Sequence, residues 1–181
     1  AHGEGRYSAT HFRYPVVYGP RQLTPTAWTI MRRFMDKRSY IVLPDGGLTL
    51  TTRGYSENVA HAVLLAAQQP DAAAGQIYDC GDEVQLTMAQ WIEVVARAMD
   101  SEIEVIGVPD AYAYPARGLM MFHGPSNHQL FDLYKVKSEL GYRDIVPPLE
   151  AMERTGRWYR DNPPDENSEF VADIAGHYRT E

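Results

Sequence analysis

The sequence is short of three features that would assign a class of protein directly. It has one cysteine, Cys80, among 181 residues, which excludes an internal disulfide and fits a reducing compartment. The net charge of −7 argues against a nucleic-acid partner, because phosphate binding needs a basic face. No apolar run is long enough to span a membrane, and no signal-peptide pattern opens the chain. We therefore expect a cytoplasmic protein that binds neither membrane nor nucleic acid.

Motifs for metal binding and for a nucleophile are missing as well. The spacing of His123 and His128 fits no common zinc site, so surface or packing histidines are the favoured interpretation. No Gly-x-Ser-x-Gly turn is present for a serine nucleophile. Cys80 ends an apolar segment before a Gly-Asp turn, where a small buried side chain is favoured over a nucleophile. We predict no metal and no catalytic residue.

The sequence does contain enough apolar material for one globular domain. Its hydrophobic fraction is 44% and its aromatic fraction 11%, whereas disordered chains have fewer aromatics and more charge. We predict a single α/β domain over residues 1–160. The segment from Asn162 to Glu169 is polar and contains prolines, so residues 161–181 are predicted to be a polar tail with one short helix at 170–178.

The stretch from Phe12 to Pro20 is the most strand-like in the chain. Its tyrosines, phenylalanine and valines favour a packed, pleated environment, and Gly19-Pro20 ends the run. The pattern predicts one buried strand followed by a tight turn. Upstream, Gly3-Glu4-Gly5 lacks the preceding strand, the third glycine and the following helix of a dinucleotide fingerprint, so a turn is the favoured interpretation.

Strand-like and helix-like segments alternate along the rest of the chain. The clearest helix start is Thr87, which forms a capping box with Gln90 while Leu86 and Trp91 take the positions of a hydrophobic staple. The strands and the other helices are predicted from apolar periodicity, and each of these helices has Pro or a capping residue at its start. Helices are predicted to begin at Thr24, Ser56, Thr87 and Pro147, and strands to cover 40–44, 48–55, 76–81 and 103–108.

Two clusters leave alternatives open. Basic residues between Arg32 and Arg38 could bind an anionic substrate, but a solvated helix face is favoured. Aromatic and methionine side chains between Tyr112 and Phe122 could line a ligand cleft, although packing at a domain edge is favoured.

Four segments, in this order, carry a family resemblance. They are Arg13 to Pro20, Tyr55 to Ala62, Ile77 to Thr87, and Phe131 to Tyr142. They resemble, in turn, the Arg-Tyr-Pro…Tyr-Gly-Pro strand, the Tyr-Val-x-Asp-Val-Ala-x-Ala helix start, the last Rossmann strand with the next helix, and the Asp-x-x-Lys…Leu-Gly-Tyr block of the extended short-chain dehydrogenases/reductases. This is the family of NAD-dependent sugar epimerases and dehydratases. Asn58 stands where that family usually has an acid.

The resemblance implies a fold and a limit on chemistry. The implied fold is a partial doubly wound, Rossmann-like sheet with the small α/β substrate-binding subdomain, and the strand near Ile77 is one neighbour of the strand at 10–17. Family catalysis uses a Tyr with a Lys four residues later, but no tyrosine here has that Lys; Tyr7, for example, is followed there by His11. The glycine-rich pyrophosphate turn is also absent. The resemblance therefore implies the substrate-side half, with the N-terminal Rossmann half missing.

The resemblance also implies a small set of binding residues. Tyr14 and Pro15 would touch the nicotinamide end of NAD or NADP if a cofactor half is supplied; the chain alone is expected to bind neither. The substrate candidates are Val17, Arg21, Thr51 and Arg53. Thr51 stands where relatives place a phosphate-binding Arg, and Arg53 lies two residues on, on the same strand face, as a substitute.

Three functions remain open from the sequence. The first is a truncated epimerase/dehydratase-like protein, the substrate-binding half, without catalysis on its own. The second is a standalone, non-catalytic binding or interaction protein, and the third is a half-enzyme complemented by a separate cofactor-binding chain. In each case we expect a homodimer or larger assembly through the sheet edge near Phe12, Tyr14 and Val16, because an unpaired apolar strand can pair with another chain.

Overall fold

The computed structural model describes residues 3–5, 7–22, 25–119, 127–165, 167–169 and 171–172. Short strands and helices alternate through them, which confirms the α/β class. The strands are β1 His11–Arg13, β2 Val16–Tyr18, β3 Tyr40–Pro44, β4 Leu50–Thr51, β5 Arg53–Tyr55, β6 Ile77–Asp79, β7 Leu86–Thr87 and β8 Glu104–Val108. The helices are α1 Thr26–Met35, α2 Ser56–Gln68, α3 Pro70–Ala73, α4 Met88–Ala98, α5 Tyr134–Leu140 and α6 Pro148–Asp161.

The strands pair across long stretches of sequence. Three pairs are parallel, β1 with β6, β2 with β5 and β3 with β8, while β4 and β7 are antiparallel. In the first pair Phe12 lies opposite Tyr78, so the predicted pairing of the first strand with the segment near Ile77 is confirmed. Parallel neighbours joined through helices are the organisation of α/β proteins.

The prediction of one strand from Phe12 to Pro20 is wrong. The chain forms two three-residue strands, broken at Tyr14 and Pro15, and each pairs with a different partner. Pro15 has no N–H to donate to a ladder, and it restricts the backbone of the residue before it. The break lets the chain pass from β6 to β5, and these two strands are the ones that lead into the site described below.

Helix boundaries follow local signals where those signals are strong. The Thr87–Gln90 capping box is confirmed in both directions, at 3.1 Å from the Gln90 N–H to Thr87 and 2.9 Å for the return bond. Gly141, with φ of 70°, ends α5 in the left-handed conformation that glycine adopts without strain. Ser56, by contrast, does not cap α2: it is the first helical residue, and Tyr55 precedes it without a side-chain cap.

Two apolar cores hold these elements together. Trp28, Trp91 and Tyr159 belong to the larger one, where α1, α4 and α6 meet β3. Tyr78 and Leu133 belong to the smaller one, which α2 and α5 form over β6. The predicted solvated face of α1 is wrong at one position. Arg33 is buried, because its guanidinium donates to the Thr29 carbonyl at 2.7 Å and to the Pro115 carbonyl at 3.5 Å.

Several predictions fall on parts of the chain that the structure does not describe. Thr24, His123 and the segment 120–122 lie outside the described residues, as does most of the helix predicted at 170–178. In the described residues next to that helix prediction a helical turn is present, since the Ala172 N–H donates to the Ser168 carbonyl at 2.9 Å. In the described ranges, no helix has the length and apolarity to cross a membrane, and no acidic, histidine or cysteine cluster could hold a metal ion.

Candidate functional site

A cleft opens where β4, β5 and the turn after β6 come together beside α4. Thr51 and Leu86 pair across the β4–β7 ladder, and Arg53 follows two residues later on β5. The cleft is small, with a cavity volume of about 10 Å³, which is room for about one water molecule. Thr51 and Arg53, both predicted substrate residues, therefore lie at one site. The lining residues are Thr51, Arg53, Asp82, Val84, Leu86, Trp91 and Pro148.

Arg53 supplies the positive charge of the cleft. Its guanidinium lies over the Trp91 ring, 4.8 Å from the ring centroid, and donates to the Thr51 carbonyl at 3.2 Å. Burial lowers the pKa of Arg53 to about 10, while the neighbouring Tyr18 and Asp82 act in the opposite direction. The side chain is still a cation at neutral pH, and stacking on an aromatic face holds its planar group in one orientation.

Asp82 is the acid of the site, and the sequence predictions did not include it. The residue is buried, and its Oδ1 accepts bonds from the Tyr55 N–H and from Asn58 Nδ2, both at 2.9 Å. Burial raises the pKa of Asp82, while these two bonds and the Arg53 charge lower it. A signal was available, because Asp82 follows the carboxyl end of β6, where open α/β sheets gather ligand-binding residues.

Tyr18 lies underneath the cleft. It is 2% exposed, makes an edge contact with Trp91 at 4.8 Å between ring centroids, and also touches Tyr55. Its hydroxyl has no hydrogen-bond partner among the described residues. Burial, and next the Asp82 charge, raise the pKa of Tyr18, so the hydroxyl stays protonated. It is a neutral donor close to the two charged groups of the site.

A network of bonds fixes the turn that carries Asp82. Asn58 joins Asp82 to the loop before α6: its Nδ2 donates to the Val146 carbonyl, and its Oδ1 accepts the Ile145 and Val146 N–H groups, all at 3.0 Å. Glu83 and Asp144 exchange two further bonds, each carboxylate accepting the other residue's N–H at 3.0 and 2.8 Å. The acid and the Pro148 wall of the cleft are therefore positioned together.

The remaining predicted site residues lie elsewhere. Tyr14 is 43% exposed and stacks on Phe12, 6.1 Å between ring centroids. Val17 packs against the smaller core and Arg21 is exposed in the turn after β2, with φ of 62°. These residues, with Pro15, do not line the cleft. Thr51 and Arg53 are thus brought together, and the cofactor candidates are separate from them.

The residues that the structure describes do not form a complete NAD site. Residues 3–5 form an exposed turn, and the next regular element is the strand β1. A pyrophosphate site of the dinucleotide type needs backbone N–H groups at a helix N-terminus after a glycine-rich turn. The two predicted cofactor contacts, Tyr14 and Pro15, would serve one end of the molecule.

Comparison with known proteins agrees with this architecture. No family model matches the chain. The uncharacterised protein y4nL of Sinorhizobium fredii is 25% identical, over 81% of this chain and 46% of the relative. An epimerase from Methanothermobacter thermautotrophicus superposes with a TM-score of 0.68 at 15% identity, over 89% of this chain and 46% of the other. A UDP-glucuronic acid 4-epimerase from Bacillus cereus, in complex with UDP-glucuronic acid and NAD, superposes with a TM-score of 0.67 at 14% identity. The match covers 88% of this chain and 48% of the epimerase.

The chain has an epimerase/dehydratase-like fold. Dehydratases with NAD and a UDP-glucose 4-epimerase recur among the similar structures. The chain spans about half the length of the curated relatives it matches. At these identities the likeness shows the fold, and the function has to be argued from the cleft itself.

Proposed function

We propose that this chain is the substrate-binding half of an NAD(P)-dependent sugar epimerase or dehydratase, and that these 181 residues do not catalyse the reaction by themselves. The observation that carries the first part is the cleft in which Arg53 stacks on Trp91 beside Asp82. The second part rests on the sequence, in which no tyrosine is followed four residues later by a lysine.

The chemistry of the cleft matches a sugar that carries an anionic group. The Arg53 guanidinium pairs with phosphate or carboxylate oxygens, and Thr51 and Asp82 offer polar partners for hydroxyl groups. Val84, Leu86 and Pro148 form apolar walls of the same cleft, as expected where a few polar groups orient a ligand among apolar side chains. UDP-glucuronic acid, which one similar epimerase binds, has this combination of groups.

Most of the contacts to the cofactor would come from another polypeptide segment. We propose NAD or NADP for the complete enzyme, with Tyr14 and Pro15 near the nicotinamide end and a cofactor-binding half supplying the other contacts. Redox chemistry on the sugar would be the cofactor's contribution, whereas this chain binds and orients the sugar. A cytoplasmic location is part of the proposal, because the single free Cys80 fits a reducing compartment.

Ligand binding to the purified chain tests the proposal. Isothermal titration with UDP-glucuronic acid and with UDP-glucose should show saturable binding that Arg53→Gln weakens by roughly 10- to 100-fold, the effect of losing one charge-assisted hydrogen bond. Arg154→Gln is the matched control, because it removes the same charge from an exposed ion pair with Glu57 and Glu150, and should leave affinity unchanged. Equal binding by Arg53→Gln and the wild type would exclude this cleft as the sugar site.

A further inference from the structure

The hydroxyl of Tyr142 lies between two hydrogen-bond acceptors. The side chain is buried, and its oxygen is 2.9 Å from the Gly81 carbonyl and 2.9 Å from Asp144 Oδ1. A phenol carries one proton and can donate one such bond. If Asp144 is ionised, one of the two acceptors is therefore left without a donor, which is unfavourable in a buried position.

A proton on Asp144 Oδ1 completes every bond in this arrangement. The carboxylic acid then donates to the Tyr142 oxygen, and Tyr142 donates to the Gly81 carbonyl. The other oxygen, Asp144 Oδ2, already accepts the Glu83 N–H at 2.8 Å, so Oδ1 is the atom available to carry the proton. Burial raises the pKa of Asp144 to about 6, which agrees with this geometry.

The charges around Asp144 make it the carboxyl that takes up a proton. From the turn after β6, Glu83 accepts the Asp144 N–H at 3.0 Å. Glu83 is in turn paired with Lys137 of α5 at 2.6 Å and with Arg143 at 3.8 Å, so its own charge is balanced. Among the described residues, no lysine or arginine pairs with Asp144 itself. The nearby Asp82 carboxyl adds negative charge, which also favours the protonated form of Asp144.

Two further titratable side chains face this network from other elements. His61 of α2 lies beside Tyr142, with 6.1 Å between ring centroids, and its Nδ1 donates to the Arg143 carbonyl at 3.2 Å. Histidines change charge between about pH 5 and pH 8, so an effect of His61 has to be separated by experiment from one of Asp144. Tyr18 of β2 stays protonated in this range, because burial raises its pKa.

The Gly81 carbonyl belongs to the turn that carries the acid of the cleft. In that turn the Asp82 N–H donates to the Arg53 carbonyl at 2.7 Å, and Asp82 Oδ1 accepts the Tyr55 N–H at 2.9 Å. A Cβ at Gly81 would lie 3.0 Å from the Arg53 carbonyl oxygen and 2.6 Å from Thr52 Cγ2, so the turn is in direct contact with β5. A shift of Gly81 is therefore passed on to the main chain of both charged groups of the cleft.

We propose that Asp144, in its protonated form, positions the Gly81–Asp82 turn through Tyr142 and so keeps the cleft competent to bind an anionic sugar. When Asp144 is ionised, it competes with Gly81 for the single Tyr142 proton. It also adds a negative charge beside Asp82, and both changes oppose the binding of an anion at Arg53. The inference rests on the proposed function of the cleft, and within it Asp144 is a positioning residue that does not touch the ligand. Affinity should fall as pH rises, because Asp144 leaves the competent form.

Isothermal titration of the 181-residue chain with UDP-glucuronic acid, whose acidic groups are ionised at both pH 5 and pH 8, measures the effect. The wild-type dissociation constant should be at least roughly tenfold higher at pH 8, below the ceiling of about 100-fold for a group that titrates near pH 6. Asp144→Asn should bind equally at both pH values and as tightly as the wild type at pH 5, because Nδ2 in place of Oδ1 can donate to Tyr142. His61→Gln should keep the wild-type pH dependence.

An NMR titration without ligand tests the positioning step separately. In the wild type the Gly81 and Asp82 amide shifts should follow the Asp144 carboxyl with the same midpoint. In Tyr142→Phe the carboxyl should still titrate while these amides stay fixed, which distinguishes a bond through Tyr142 from the field of the charge alone.

Three results would overturn the inference. They are wild-type amides that do not follow Asp144, a wild-type affinity that is equal at pH 5 and pH 8, and a wild-type pH dependence in Asp144→Asn. A chain that binds no UDP-glucuronic acid at either pH, although its Gly81 and Asp82 amides follow Asp144, would refute the proposed function while supporting the positioning role of Asp144.

Discussion

Asn58 is the residue whose replacement tests most directly how the site is held. It is fully buried, and its amide makes four hydrogen bonds, to Asp82 Oδ1, the Val146 carbonyl and the N–H groups of Ile145 and Val146. These bonds join the turn after β6 to the loop before α6. Asn58→Ala removes all of them and leaves a cavity.

The expected loss can be estimated bond by bond. Ile145 is exposed, so its N–H can bind water after the substitution, and that bond contributes little. The N–H and carbonyl of buried Val146 lose their partner at about 1 kcal/mol each, and the bond to the Asp82 carboxyl adds about 1.5–3 kcal/mol because the acceptor is charged. The total is about 3.5–5 kcal/mol, a large share of the roughly 5–15 kcal/mol that stabilises a typical domain.

A second substitution at this position separates charge from packing. Asn58→Asp keeps the shape but replaces the donor Nδ2 with an oxygen, which then lies 2.9 Å from Asp82 Oδ1. Two carboxyls so close share a proton, which raises the pair's pKa above the unfolded value. The folded state then binds protons more tightly than the unfolded state, so stability falls as pH rises. The Asn58→Asp penalty should be small near pH 4 and large at pH 7.

Urea unfolding followed by circular dichroism measures both effects. The wild type, Asn58→Ala and Asn58→Asp are compared at pH 4 and pH 7, with Gln68→Ala, at an exposed amide on the same helix, as the control. Gln68→Ala should stay within about 0.5 kcal/mol of the wild type. An Asn58→Asp variant as stable as the wild type at pH 7 would refute the described network, as would an Asn58→Ala loss below about 1 kcal/mol.

Two further predictions concern a titrating acid and the cofactor. Burial raises the pKa of Asp144 to about 6, and the nearby Asp82 and Glu83 charges add to it, so its contribution to wild-type stability should fall as pH rises from about 4 to 6, by less than the roughly 3 kcal/mol of the full shift because solvent screens the partly exposed carboxyl. Asp144→Asn should flatten that slope in urea titrations, and an unchanged slope would contradict the assignment. The chain should give no saturable enhancement of NADH fluorescence at micromolar concentrations and no turnover of UDP-glucose, since Tyr14 and Pro15 are the only residues proposed to contact the cofactor; either signal would refute this.

Local chemistry let the sequence predict much of the secondary structure. The Thr87–Gln90 capping box and the Pro147-Pro148 pair at the start of α6 act over a few neighbouring residues, so their effect does not depend on the rest of the fold. The order of motifs also indicated the epimerase/dehydratase architecture. Thr51 was predicted from the family resemblance and Arg53 because it follows two residues later, although the structure divides them between β4 and β5.

Tertiary structure decided the site and the strand pairing. Pro15 ends one strand and starts another, but which partners the two halves take depends on β5 and β6, far along the chain. Asp82 and Trp91 meet Arg53 only after these strands and α4 have packed. Asn58 bonds to Asp82 and Val146, which lie 24 and 88 positions further along the chain, and no local pattern specifies such contacts. Such distant partners are selected by burial and by the hydrogen bonding of polar groups in the assembled core. The sequence therefore indicated the helices and strands, whereas the fold placed Asp82 beside Arg53.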